Sequence, residues 1–188
     1  MKNKFWNYIL LCAIVVSFSG CIENEDVVWT GDQVEFDAAI YNAPATGRTF
    51  PILTRVPGYG RPINTANTAA GTADPLITRT SGTINFFVNL VGAHKGASET
   101  LTVSVVNDPI LDPVTQLPVE TLATVNTHYT VPATITLDAN SSVAQLPVTI
   151  VDPGATTGSV VLVLRLDGNS KITPSQNYKT IAIRIAQN

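Results

Sequence analysis

The sequence predicts an all-β fold: an immunoglobulin-like antiparallel β-sandwich of about seven to nine strands. Three observations predict it. Apolar side chains recur at every second position in seven separate stretches, clusters of turn-forming residues divide those stretches, and no window after the first twenty residues carries helical periodicity. Strict alternation gives a strand one buried and one solvated face, the pattern of antiparallel sheets packed against each other.

The strands follow in chain order. In QVEFDAAI, Val34, Phe36, Ala38 and Ile40 share a face, opposite Glu35 and Asp37. TINFFVNLV places Ile84, Phe86, Val88 and Leu90 together, and ETLTVSVV alternates Leu101, Val103 and Val105 with Thr100, Thr102 and Ser104. ATITLD contributes Ile135 and Leu137, and QLPVTIV contributes Leu146, Val148 and Ile150. SVVLVLRL contributes Val160, Leu162, Leu164 and Leu166, and KTIAIRIAQ contributes Ile181, Ile183 and Ile185. The abundance of Val, Ile and Thr agrees, because β-branched side chains fit a pleated surface better than a helix. Asn107-Asp108-Pro109, Asp138-Ala139-Asn140, Asp152-Pro153-Gly154 and Asp167-Gly168-Asn169 read as turns. Pro147 interrupts a strand pattern without an N–H to donate, which marks an edge strand or a bulge. Two stretches break the alternation. Residues 41–79 are rich in Pro, Gly, Thr and Ala, with a weaker strand expected near 49–56. Residues 108–126 hold Pro109, Pro113 and Pro118 and read as a long connection. Long loops on a rigid sandwich are frequent binding elements.

The first residues are of a different kind. Lys2 and Lys4 precede a nearly unbroken apolar run from Phe5 to Phe18, then Ser19, Gly20 and Cys21. The run is the length of a signal-peptide core and shorter than the roughly 20 residues of a spanning helix. Phe18-Ser19-Gly20-Cys21 resembles the lipobox of bacterial lipoproteins. That resemblance implies cleavage before Cys21, diacylglycerol on its sulfur and an acylated new amino terminus. Several acyl chains anchor firmly, since each buried methylene adds about 0.8 kcal/mol. The expected organisation is a signal peptide over 1–20, a lipidated cysteine and tether over 21–31, and one sandwich domain over 32–188. Cys12 lies within the signal, so Cys21 is the only cysteine expected in the mature chain and no internal disulfide can form. Stability must come from a packed core, which a chain of this length can supply.

The full chain carries a formal charge of −3, and loss of Lys2 and Lys4 makes the mature balance −5. Nucleic acid is therefore excluded as a partner, because phosphate binding needs a basic patch.

The stretch NTHYTVPATITLDANSSVAQLPVTI brings a tyrosine into a strand ahead of a short hairpin. With GNSKITPSQNYKTIAIRI and VEFDAAIYN after the lipobox, it resembles the Ig-like outer-membrane lipoproteins of Bacteroidota, many of them of unknown function. The Tyr-then-hairpin pattern is similar to that of Calx-β domains. The lipoprotein resemblance implies association with starch-utilisation-type (Sus-like) uptake systems, in which a TonB-dependent porin and a lid lipoprotein import glycans or peptides. It also implies that Glu23, Glu25 and Asp26, directly after the cysteine, act as an export signal. That signal would place the protein on the outer membrane, facing the exterior. The expected function is a surface-anchored, non-catalytic accessory binding or assembly subunit of such a complex. The alternatives are a stand-alone glycan-binding lipoprotein and an adhesin or structural surface subunit.

No catalytic constellation is visible in the sequence. His94 and His128 lie in no metal-ligand spacing, and no nucleophile elbow accompanies them. Asp108, Asp112, Asp138 and Asp152 sit at turns without a DxDxDG loop, so neither a metal nor a cofactor is expected. For a glycan, the candidate contacts are Tyr59, flanked by Gly58 and Gly60, and Arg61 beside it. The anchor gives the first testable expectation: Cys21→Ser abolishes acyl labelling and membrane retention, and unchanged retention on fractionation would refute the lipobox reading.

Overall fold

The computed structural model describes residues 31–37, 49–58, 74–112 and 114–188. Ten strands run through them: β1 (Gln33–Phe36), β2 (Ile52–Leu53), β3 (Thr83–Val91), β4 (Glu99–Val105), β5 (Tyr129–Thr130), β6 (Thr134–Leu137), β7 (Val143–Ile150), β8 (Ser159–Gly168), β9 (Thr173–Pro174) and β10 (Thr180–Ala186). Three of them are only two residues long, and the other seven fall on the seven alternating stretches of the sequence. The strands form two five-stranded sheets, β5-β7-β3-β1-β9 and β2-β10-β8-β4-β6. The result is a β-sandwich of the expected Ig-like architecture.

The long neighbours pair antiparallel, as alternation predicts. The sheets are nonetheless mixed, because β1 runs parallel to β9 and β2 runs parallel to β10. Both exceptions involve two-residue edge pieces, β9 and β2, too short to follow an alternation of their own, so nothing local indicates their direction. β2 lies within the stretch where a weaker strand was expected.

The core lies between the sheets and consists of the alternating residues named above. Ile84, Phe86, Val88 and Leu90 of β3 and Ala144, Leu146, Val148 and Ile150 of β7 face Leu101, Val103, Ile135 and Leu137 of the other sheet. The inward sides of β8 and β10 complete it through Val160, Leu162, Leu164, Leu166, Ile181, Ile183 and Ile185. Burial of such a side chain contributes about 1.5–3 kcal/mol.

Pro147 has the edge placement that its missing donor requires. On β7, the Ile150 N–H donates to Gly82 on the β3 side, and the Val151 N–H donates to His128 on the β5 side. Odd-numbered residues of β7 therefore direct their main chain away from β3, and β5 reaches only as far as Thr149. The register with β3 runs past Pro147 without a bulge.

A bulge does occur at the end of β8. The register with β4 slips between Thr102 and Val103, leaving Asp167 as the additional residue. The chain then turns through Gly168 and Asn169. Asn169 Oδ1 accepts the N–H groups of Lys171 and Ile172, while its Nδ2 donates to Thr100 O and to Glu99. Lys171 Nζ also lies 2.7 Å from Glu99 Oε1, and this contact holds the Glu99 carboxyl below its ordinary value. Gly168 has φ +68°, and a Cβ there would sit 2.1 Å from the Ile172 carbonyl oxygen. Gly168→Ala therefore meets both a left-handed backbone and a clash, and is expected to cost about 3 kcal/mol in denaturant unfolding. Gly96→Ala, where the added methyl meets open space, serves as the control and should change stability by less than about 0.5 kcal/mol.

Candidate functional site

β8 is buried on both faces from Val160 to Leu164. Its inward residues join the main core, while Val161 and Val163 point to the other side and are 0% and 2% exposed. A second apolar cluster covers them, built from Ile110 and Ala182 with Phe50, Ile52, Val106 and Leu122 packed against it. The outer face of this sheet is thus roofed over, and the roof is the proline-rich connection.

The connection is held at each end and in the middle. At its start, the Val106 N–H donates to Val163 O. Next, residues 110–112 and 117–119 pair as a hairpin, in which the Val119 N–H donates to Ile110 O and the Asp112 N–H to Leu117 O. Asp112 Oδ1 caps the tip by accepting the N–H groups of Val114 and Thr115, and Gln116 takes the left-handed conformation with φ 58°. Glu120 then pairs with Arg184 of β10. Finally, the Ala123 N–H donates to Val161 O, and the Val161 N–H donates to Thr121 O. The segment expected as a long surface loop supplies β8 with a partner along the half that β4 does not reach.

Between this connection and residues 49–50 lies a cleft of about 410 Å³, within the range of small-ligand sites, about 300–1,000 Å³. Its apolar wall includes Phe50, Pro109, Ile110 and Val163, and its polar groups are Thr49, Asp108, Arg165 and Thr180. Two of the polar groups are fixed by register. Arg165 stands across from Ser104 on one side and Thr180 on the other, a polar row over three strands. Arg165 Nε donates to Asp167 at 2.8 Å, leaving its terminal nitrogens without a partner among the described residues. Ser104 Oγ is buried and likewise lacks one. The cleft can thus offer charged donors from Arg165, an acceptor from Asp108, two hydroxyls and an aromatic ring.

Apart from Asp108, the residues singled out in the sequence fall elsewhere. Tyr59 and Arg61 lie outside the described residues, as do Cys21, Glu23, Glu25 and Asp26. His94 is exposed in the turn after β3. His128 serves its own turn, its Nδ1 accepting the Thr124 N–H at 2.9 Å. Of the four turn aspartates, Asp108 lines the cleft and Asp112 caps the hairpin. Asp138 turns the chain into β7 through a bond from the Ser141 N–H to its carbonyl. Asp152 accepts from Arg79 and from the Gly154 N–H, and these bonds hold its carboxyl below the ordinary range. Among the described residues no three His, Cys, Asp or Glu side chains gather into a metal-binding group. There too, no helix is long and apolar enough to cross a membrane.

Phe50, Arg165 and Thr180 were not identified from sequence. A signal for them existed in SVVLVLRL: Val161 and Val163 occupy the positions that alternation reserves for polar residues, so a cover over that face was implied.

No family model matches the chain, and neither does any curated protein. Several solved structures are similar. The apo-form Calx CBD1 domain matches 84% of this chain and 98% of its own, at 6% identity and a TM-score of 0.49. A two-domain protein of unknown function from Bacteroides fragilis matches 83% of this chain and 45% of its own, at 11% identity and a TM-score of 0.49. A protein of unknown function from Bacteroides ovatus matches 55% of this chain and 35% of its own, at 20% identity and a TM-score of 0.41. None of them says what this chain binds.

Proposed function

We propose that this chain is a lipid-anchored, non-catalytic binding subunit on the bacterial outer membrane, and that it contacts its ligand through the cleft on the outer face of the β8 sheet. The observation that carries the binding role is the roof itself. A solvated sheet face would need no cover, whereas here a clamped connection leaves a concave site with a few convergent polar groups on an apolar wall. The polar groups include two hydroxyls, an arginine and an aspartate, and neither histidine is among them, so the site is suited to binding rather than to nucleophilic or acid–base chemistry.

The location and partners rest on the amino-terminal sequence. Cys21 supplies the anchor, and Glu23, Glu25 and Asp26 supply the surface address. The accessory role beside a TonB-dependent porin and a lid lipoprotein follows from the resemblance to Sus-like lipoproteins. Crosslinking and pull-down of the anchored protein tests it: a porin and a lid lipoprotein should co-purify, and their absence would remove the assembly reading.

A stand-alone glycan-binding role is the second reading, favoured by the composition of the cleft. Phe50 offers a ring for a sugar face, and Arg165 and Asp108 offer a donor and an acceptor for hydroxyls. Asp167 already engages Arg165 and Asp108 shares the cleft, so the site carries no net positive charge and suits a neutral sugar better than an acidic one. On a polysaccharide panel, Arg165→Ala should weaken binding at least about tenfold, equivalent to about 1.4 kcal/mol. Flat isotherms for the unmodified protein would eliminate this reading.

A further inference from the structure

The four sheet edges are not alike. Along β7, the outward positions beyond β5 are Val143, Gln145 and Pro147. Ser141 Oγ accepts the Val143 N–H and donates to the Val143 carbonyl, and Pro147 has no N–H, so Gln145 is left as the donor on that stretch. On the opposite edge of the same sheet, the Thr173 N–H donates to Asp32 O, just before β1, and the Ser175 N–H to Val34 O within it; the outward residue between them is Pro174. In the other sheet, β10 is covered by Pro51 to Leu53 and by the segment around Ile77, Thr78 and Arg79. These are common devices for keeping edges from pairing with another chain.

Within its own four residues β6 has none of them, and Pro132, at the outward position before it, closes only the start of this edge. The Val103 N–H donates to Ala133 O, and the register with β4 places Leu101 opposite Ile135 and Glu99 opposite Leu137. In an antiparallel ladder, the hydrogen-bonded positions are therefore 133, 135 and 137. Thr134 and Thr136 direct their N–H and C=O groups outward, and among the described residues nothing pairs with them. The strand is Thr-Ile-Thr-Leu, without a proline, a charge or a bulge. Its apolar residues Ile135 and Leu137 are buried in the core, so the exposed edge is fixed in register.

We propose that this edge is a self-association site, where a second copy of the chain adds its own β6 antiparallel to the first. The edge is self-complementary. In the two-fold register that sets Thr134 against Thr136 of the second copy, both residues of each copy exchange N–H···O bonds, giving four in all. The side chains brought together are threonines, a favourable cross-strand pair. Thr100 and Thr102, opposite Thr136 and Thr134 on β4, extend the same uncharged face, so no like charges oppose each other. Two sandwiches joined in this way form one continuous ten-stranded sheet. The isologous contact closes at the dimer, as two-fold interfaces do.

Native mass spectrometry of the full chain released in detergent tests it. The unmodified protein should show a dimer whose share rises with concentration. Thr136→Pro removes an outward donor without touching the β4 ladder, and should leave a folded monomer by circular dichroism. Thr134→Lys with Thr136→Lys sets lysine against lysine across the two-fold axis, and should weaken the dimer at least about tenfold, equivalent to about 1.4 kcal/mol. Thr134→Lys with Thr136→Glu sets lysine against glutamate in that register, and should restore it. An unmodified protein that is monomeric up to about 1 mM, where binding free energy falls to about 4 kcal/mol, would overturn the proposal. So would a dimer equally strong in the lysine–lysine and lysine–glutamate variants, or an edge occupied instead by a co-purifying protein of another sequence.

Discussion

The structure depends on a single strand, β8, which has no solvated face from Val160 to Leu164. β8 sends Val160, Leu162, Leu164 and Leu166 into the space between the sheets and Val161 and Val163 out of it, and all six are buried. Exposing the two outward valines would forfeit roughly 1.5–3 kcal/mol each. The chain instead folds residues 106–123 back over them and adds Phe50 and Ile52 from the far side. The cover follows from the apolar pair, and the cleft follows from the cover, because the two covering segments do not meet over Arg165 and Thr180.

That origin explains why the site is firm although its wall comes from a proline-rich connection. A free loop would place Asp108 and Pro109 loosely. Here the segment is bonded to Val163 before the cleft and to Val161 after it, and the Glu120–Arg184 pair fastens it to β10 between those points. The polar row Ser104, Arg165 and Thr180 sits on the sheet itself, where register fixes the spacing. The cleft thus combines a rigid floor with a clamped wall, which lowers the ordering cost of ligand binding.

Much of the fold was legible in the sequence, and the reason lies in particular residues. Ile84, Phe86, Val88 and Leu90 alternate without error, as do Leu146, Val148 and Ile150, because each faces one core. Pro147 could be narrowed to an edge or a bulge, since its missing N–H excludes it from a ladder on that side, and the folded chain places it at an edge. Of the two-residue strands, β9 was not legible, being too short to show a period; a strand at Tyr129 was expected, but its pairing with β7 was not, because that rests on the neighbour it meets. The site was less legible still. Arg165 reads as an ordinary outward residue, and Phe50 as one aromatic in an irregular stretch. They share a cleft because β8 passes beneath a segment more than a hundred residues earlier in the chain. His128 illustrates the reverse case, a residue with chemical potential whose ring nitrogen is committed to a local turn.

The sequence by itself determined the class of fold, the composition of the main core, the turns between strands and the expectation of an anchor at Cys21. These depend on local rules: the two-residue period of a strand, the backbone freedom of Asn, Asp and Gly, and the order of residues around a cleavage site. Tertiary structure alone decided the order of the strands within each sheet and where the connection came to rest. Those outcomes depend on contacts between segments far apart in the chain, and no local period records them. The two outward valines of β8 lie between the two levels: their positions announced that a cover must exist, and only the folded chain supplied it.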